Sequence, residues 1–127
     1  MQTLEQFKKQ QYLSIETYRK SGEGVRTPVW FIEVNDEYCF TTERDSGKVK
    51  RIRRNPAVRI APCTVRGDLK GDFIPGIARL LPAEETEKVK KSYAKKYGLM
   101  GLIFELMGRS RKTERIFLAI KPESTNP

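Results

Sequence analysis

The chain of 127 residues contains no histidine. With that residue go Ser-His-Asp and Cys-His nucleophiles, histidine general bases and nearly every common zinc or non-haem iron site. Cysteine is almost as scarce. Cys39 and Cys63 stand far apart with no CxxC spacing, which argues against a zinc site or a disulfide framework and leaves two partly buried thiols. No stretch approaches the roughly eighteen apolar residues of a membrane span, and the opening MQTLEQFKKQQ is polar where a signal peptide needs an apolar run. A soluble, cytoplasmic protein without membrane insertion is expected. The phosphate-loop pattern is missing, and Gly22 and Gly24 do not complete a dinucleotide glycine fingerprint, because Thr27 stands at the third glycine position and no helix follows. An enzyme built from this chain takes its reactive atoms from elsewhere, and an organic redox cofactor asks a protein mainly for binding and orientation.

What the sequence has in excess is positive charge: +9 overall, with a pI near 9.7. From Arg44 to Lys70 there are nine Lys or Arg against two acids, Asp45 and Asp68, a balance of +7 from about a fifth of the chain. An anionic partner follows: nucleic acid, a membrane surface, or a small molecule bearing phosphate or carboxylate.

Hydrophobic content of 38% fills one core, so residues 1–127 are expected to form a single domain. Residues Thr3 to Gln11 have the spacing of a short amphipathic helix, with Leu4 and Phe7 on one side covering a sheet end. YLSIETYR alternates, placing Leu13, Ile15 and Thr17 on one face and Ser14, Glu16 and Tyr18 on the other, ahead of the turn SGEG. VRTPVWFIEV and YCFTT, joined by NDE, extend this to three consecutive strands in a meander. Pro28 cannot donate to a ladder and marks a strand edge or a break in pairing, where backbone is free to meet a ligand. AVRIAPCT is a further strand, FIPGIARLL one interrupted at Pro75 and Gly76, and TERIFLAI the last. PAEETEKVKKSYAKKYG obeys the helix rules from its proline to a stop at Gly98, and LMGLIFELMG reads as a separate short apolar helix. About six strands with short helices between them point to the α+β class, mainly β, as an antiparallel barrel or half-open barrel. Glu16, Glu33 and Glu43 read as solvated surface, and Trp30 as core or interface packing.

The segment FTTERDSGKVKRIRRNP carries the strongest chemical signal. A strand ending at Thr41 and Thr42 leads to Ser46, an N-cap candidate, where the N–H groups of Gly47 and Lys48 open a two-turn helix and point at an anion. Lys48 adds a full charge, Arg51 lies one turn on, and Val49 and Ile52 face the core. One terminal phosphate fits this set. Nucleic acid is a weaker fit, because the cationic run is only about two turns long and sits in no helix-turn-helix pattern, although Arg53 and Arg54 point away from Lys48.

In order along the chain, GEGVRTPVWF, YCFTT, SGKVKRIRRNPAVRIA, RGD and IPGIARLL resemble the pyridoxamine-5'-phosphate-oxidase-like split-barrel family, nearest its small oxidoreductases that use coenzyme F420 (a deazaflavin) or FMN. The likeness runs from Tyr12 to Leu81. It implies a split β-barrel homodimer with short peripheral helices and two cofactor sites at the subunit interface. By the same resemblance, Thr27, Pro28, Val29 and Trp30 lay backbone along the flavin ring and Phe40, Thr41 and Thr42 approach the ribityl-phosphate. Ser46, Gly47 and Lys48 would hold the phosphate with Arg51 helping, and hydride would pass to a small-molecule substrate. The segment GRSRKTERIF departs from the family's C-terminal cofactor contacts. A non-catalytic flavin carrier is the alternative reading. The pI near 9.7 favours the longer anionic tail of F420 over FMN.

Overall fold

A computed structural model describes residues 4–110 and 114–123. The described residues form seven strands, β1 (Tyr12–Tyr18), β2 (Gly24–Trp30), β3 (Ile32–Val34), β4 (Glu37–Glu43), β5 (Ala57–Cys63), β6 (Ile74–Leu80) and β7 (Arg115–Pro122). Helix α1 (Gly47–Arg54) separates β4 from β5, α2 (Ala83–Ser110) separates β6 from β7, and a single 3₁₀ turn spans Leu4–Phe7. All ladders are antiparallel, in the order β2-β1-β5-β6-β7-β4-β3.

This order corrects the expected meander. β2 and β3 are separated by Phe31 alone, yet they stand at opposite edges of the sheet. Seven strands at ~4.8 Å spacing would put those edges about 29 Å apart in a flat sheet, whereas two residues cover at most ~7 Å. The sheet is therefore rolled into a barrel, with β2 lying beside β4 and no ladder joining them. The seam is open. Pro28 accordingly lies on an edge strand, paired only with Ser14 of β1. The hairpin from β3 to β4 turns at Asn35 and Asp36, whose φ angles of 52° and 66° give the twist-matched two-residue turn.

Inside the barrel, Leu13, Ile15, Phe40, Val58, Ile60, Leu118 and Ile120 pack with Phe7, Phe31 and Tyr38. Val49 and Ile52 of α1 close one end of this core, as their spacing predicted. A second apolar layer lies outside the sheet, where Val89 and Tyr93 of α2 meet Ile32, Cys39, Phe117 and Ala119. Arg79 on β6 bridges Glu37 and Glu85 at 2.8 Å each, pinning the start of α2 to the sheet.

Four expectations change. The N-terminal element is one 3₁₀ turn rather than a helix to Gln11, although Phe7 does cap the core. β6 runs unbroken through Pro75 and Gly76, because Gly76 lets β7 approach: a Cβ there would stand 2.9 Å from Ile120 Cγ2. The helix predicted to stop at Gly98 continues to Ser110 as one 28-residue element, since a mid-helix glycine costs only about 1 kcal/mol. Glu16 is 5% exposed rather than solvated. Its carboxylate accepts from Tyr18 Oη, Arg26 Nε and Arg59 Nε at 2.7 to 2.8 Å, and both guanidiniums stack on the Phe73 ring. Burial alone would raise its pKa, but the two arginines and Tyr18 outweigh this and hold it at about 2. Both faces of β1 are thus covered.

Candidate functional site

An open pocket of about 380 Å³ lies at the seam, within the ~300–1,000 Å³ range of small-molecule sites. β2 contributes Pro28, Val29 and Trp30, β4 contributes Thr41 and Thr42, and α1 contributes Lys48. These six had been singled out from sequence. Tyr12, Val65, Tyr93 and Arg115 complete the lining and had not been. Tyr12 stacks obliquely 6.0 Å from Trp30, and Tyr93, held edge-on to Phe117, extends an aromatic wall from α2.

The cationic end is built from three elements. Ser46, with β-region dihedrals, caps α1 by accepting the Val49 N–H at 3.3 Å, so the N–H groups of Gly47 and Lys48 open the helix. The Lys48 side chain runs half-buried over Phe40, its Nζ 5.9 Å from the ring centroid. Burial, with the like charges of Arg51 and Arg115, pushes its pKa down to about 8. Arg115 enters from β7, opposite Glu43 in the ladder, and its Nη2 donates to the Thr41 carbonyl at 3.1 Å. Thr41 Oγ1 donates in turn to the Ile116 carbonyl, tying the strand end that faces the pocket.

The remaining sequence candidates lie around this pocket rather than in its lining. Phe40 is fully buried beneath it. Thr27 is not part of the lining, and its Oγ1 is buried with no hydrogen-bond partner among the described residues. Gly47 faces Arg51: a Cβ on Gly47 would stand 2.8 Å from Arg51 Nη1, so glycine there makes room for the guanidinium at the helix start. Arg51 itself is anchored on the far side by Nε donation to the buried Thr17 Oγ1 at 2.7 Å. Arg115 was missed because a strand ladder, with its partner 72 residues earlier in sequence at Glu43, brings it to the site. Tyr93 was missed because helical spacing marks it as core, which it also is. Among the described residues no carboxylate lines the pocket, so an acidic ligand meets donors, two cations and aromatic faces.

No protein-family model and no curated protein matches the sequence. Solved structures do match its shape. The haem-storage protein HutZ of Vibrio cholerae superposes with a TM-score of 0.72 at 15% identity, covering 94% of this chain and 87% of that one. A candidate pyridoxamine 5'-phosphate oxidase from Listeria innocua superposes at 0.65 and 16% identity, over 95% and 90% of the two chains. The chain has the split-barrel fold of the pyridoxamine-phosphate-oxidase-like proteins. An F420 reductase shares this split barrel at a TM-score of 0.61 and 16% identity, over 94% of this chain and 92% of that one. The likeness extends through α2 and β7, beyond the Tyr12 to Leu81 stretch in which the sequence resemblance lies. At these identities the shared property is the split barrel itself.

Proposed function

We propose that this split barrel binds a flavin-type redox cofactor, coenzyme F420 or FMN, and passes hydride from its reduced form to an electron-poor small molecule. The observation that carries this reading is Lys48: a half-buried ammonium with its pKa lowered to about 8, beside Arg115, at the end of an aromatic-walled pocket. Two cations held together at a cost in folding energy are accounted for by an anion that joins them. The donors fit a phosphate: Lys48, Arg115, the opening N–H groups of α1 and the Arg51 guanidinium over Gly47. The unladdered edge of β2 and the faces of Tyr12, Trp30 and Tyr93 fit a flat heterocycle.

A bound flavin or deazaflavin would supply the hydride chemistry. The protein's own residues bind and orient, and the missing histidine is no obstacle to such a role. A second copy of the chain would cover the open side of the pocket, where Val65 is 62% exposed at the rim. The split-barrel likeness to a haem-storage protein favours a second reading, a carrier that holds its cofactor without turnover. Haem itself fits less well, because the chain lacks the histidine that most often ligates haem iron.

Titration of the purified protein with FMN and with F420, followed by visible absorbance and fluorescence quenching, tests binding; reoxidation of the reduced cofactor by nitroaromatic or quinone acceptors separates enzyme from carrier. Micromolar binding of one cofactor that Lys48→Ala abolishes and Arg53→Ala leaves intact is expected. Failure to bind either cofactor, or equal losses in both variants, overturns the reading.

A further inference from the structure

Beyond the pocket, α1 carries a second cationic feature on its other side. The side chains of Arg51 and Arg54 are anchored to consecutive residues at the end of β1: Arg51 Nε to Thr17 Oγ1 at 2.7 Å, and Arg54 Nη2 to the Tyr18 carbonyl at 3.1 Å. Arg19 follows directly in the chain. Its own ion pair, with Glu23 at 3.0 Å, is exposed on both sides and therefore weak. Neither Arg51 nor Arg54 forms an ion pair with a carboxylate among the described residues. Burial and the like charges of Arg19 and Arg54 lower the Arg51 pKa, so the three guanidiniums share one field. Arg51 links this field to the pocket, because its Nη1 lies over Gly47, beside the Lys48 position. Each anchor uses one N–H of a five-donor fork, so neither guanidinium is saturated by its anchor.

We infer that Arg19, Arg51 and Arg54 form a second anion subsite, continuous with the phosphate cradle at Gly47 and Lys48, so that the preferred ligand carries two neighbouring anionic groups. The inference rests on the proposed function for the identity of the ligand, while the subsite rests on the arginine anchors. A mononucleotide such as FMN fills the first position only. A pyrophosphate, or a phosphate extended by carboxylates, fills both. Arg53 is exposed and has no such anchor among the described residues, so it stands outside the subsite.

The test compares FMN, flavin adenine dinucleotide and F420 by fluorescence quenching in the wild type, in the Arg19→Gln/Arg54→Gln double variant, and in Arg53→Gln. The double variant is expected to lose about tenfold in affinity for a two-anion ligand, a charge-assisted contact weakened by exposure, while FMN binding stays within about twofold. Loss confined to the dinucleotide identifies the pyrophosphate, and loss confined to F420 identifies the carboxylate tail. Equal losses for FMN and both longer ligands overturn the inference. So does salt-sensitive binding of single-stranded RNA that tracks Arg53 as closely as Arg54, which marks a diffuse polyanion surface. Should the wild type bind no flavin, the proposed function falls, and inorganic pyrophosphate decides the subsite alone. Pyrophosphate-induced shifts of the Arg51 and Arg54 Nε–Hε NMR signals, absent with chloride at equal ionic strength, keep the subsite; unchanged signals remove it.

Discussion

Lys48→Met should make the unliganded protein more stable and the liganded protein unattainable. The substitution keeps the aliphatic stem over Phe40 and removes the ammonium. The folded-state pKa of Lys48 is about 8, against 10.5 for a free lysine. At ~1.4 kcal/mol per pH unit, holding the charged form costs up to about 3 kcal/mol, and solvent access through the open pocket reduces this to ~1–2 kcal/mol. Below pH 8 both folded and unfolded chains carry the proton, so the wild type bears the whole penalty. Between about 8 and 10.5 the unfolded chain binds more protons than the folded one, stability rises with pH, and the penalty disappears. Urea unfolding at pH 7 should therefore show Lys48→Met more stable by ~1–2 kcal/mol, with the difference fading by about pH 10.5. With a phosphate-bearing flavin at about 100 Kd, the wild type should gain ~2.7 kcal/mol and the variant almost nothing, reversing the order. A variant less stable than wild type at pH 7, or a difference that ignores pH, would refute the claim that Lys48 is held against its own solvation for an anion.

Glu16→Gln should destabilise by about 2 kcal/mol at pH 7, because Arg26 and Arg59 lose a buried counter-charge while keeping partial exposure themselves. The Glu16 pKa is lowered to about 2, so its contribution is full above pH 4.5 and lost as pH falls toward 2; acid titration of unfolding should show the two proteins converging there. Arg115→Gln removes a like charge from Lys48 and should raise its pKa, read by NMR titration of the Lys48 Nζ, while weakening phosphate-ligand binding about tenfold. Gly76→Ala should cost ~1–3 kcal/mol in chemical denaturation, since its Cβ would meet Ile120 Cγ2 at 2.9 Å and the Lys121 carbonyl at 3.1 Å; wild-type stability in that variant would show that β7 yields freely.

The sequence by itself determined the features that depend on near neighbours. Ser46, Val49, Ile52 and Asn55 fixed α1 and its cap, because capping and helical spacing act within a turn or two. Asn35-Asp36 fixed the β3–β4 turn, Pro28 narrowed its strand to an edge or a break in pairing, and the absence of histidine fixed which chemistries are closed to the chain. Of the pocket's lining residues, Thr41, Thr42 and Lys48 follow from the strand end and helix start, whereas Val29 and Trp30 came only from the family resemblance. Tertiary structure alone decided the rest. The one-residue break at Phe31 sends two successive strands to opposite sheet edges, and no local propensity distinguishes that from a single long strand. Glu16 alternates with apolar residues as a solvent-facing carboxylate would; the arginines that bury it come from β2 and β5. Arg115 reaches the pocket only because β7 pairs with β4 across most of the chain, and the lowered pKa of Lys48 exists only where α1 and β7 bring their cations together. Caps, turns and helix faces are written in short-range spacing; charge fields and pockets form where distant segments meet, since Coulomb energy and desolvation depend on distance in space rather than along the chain.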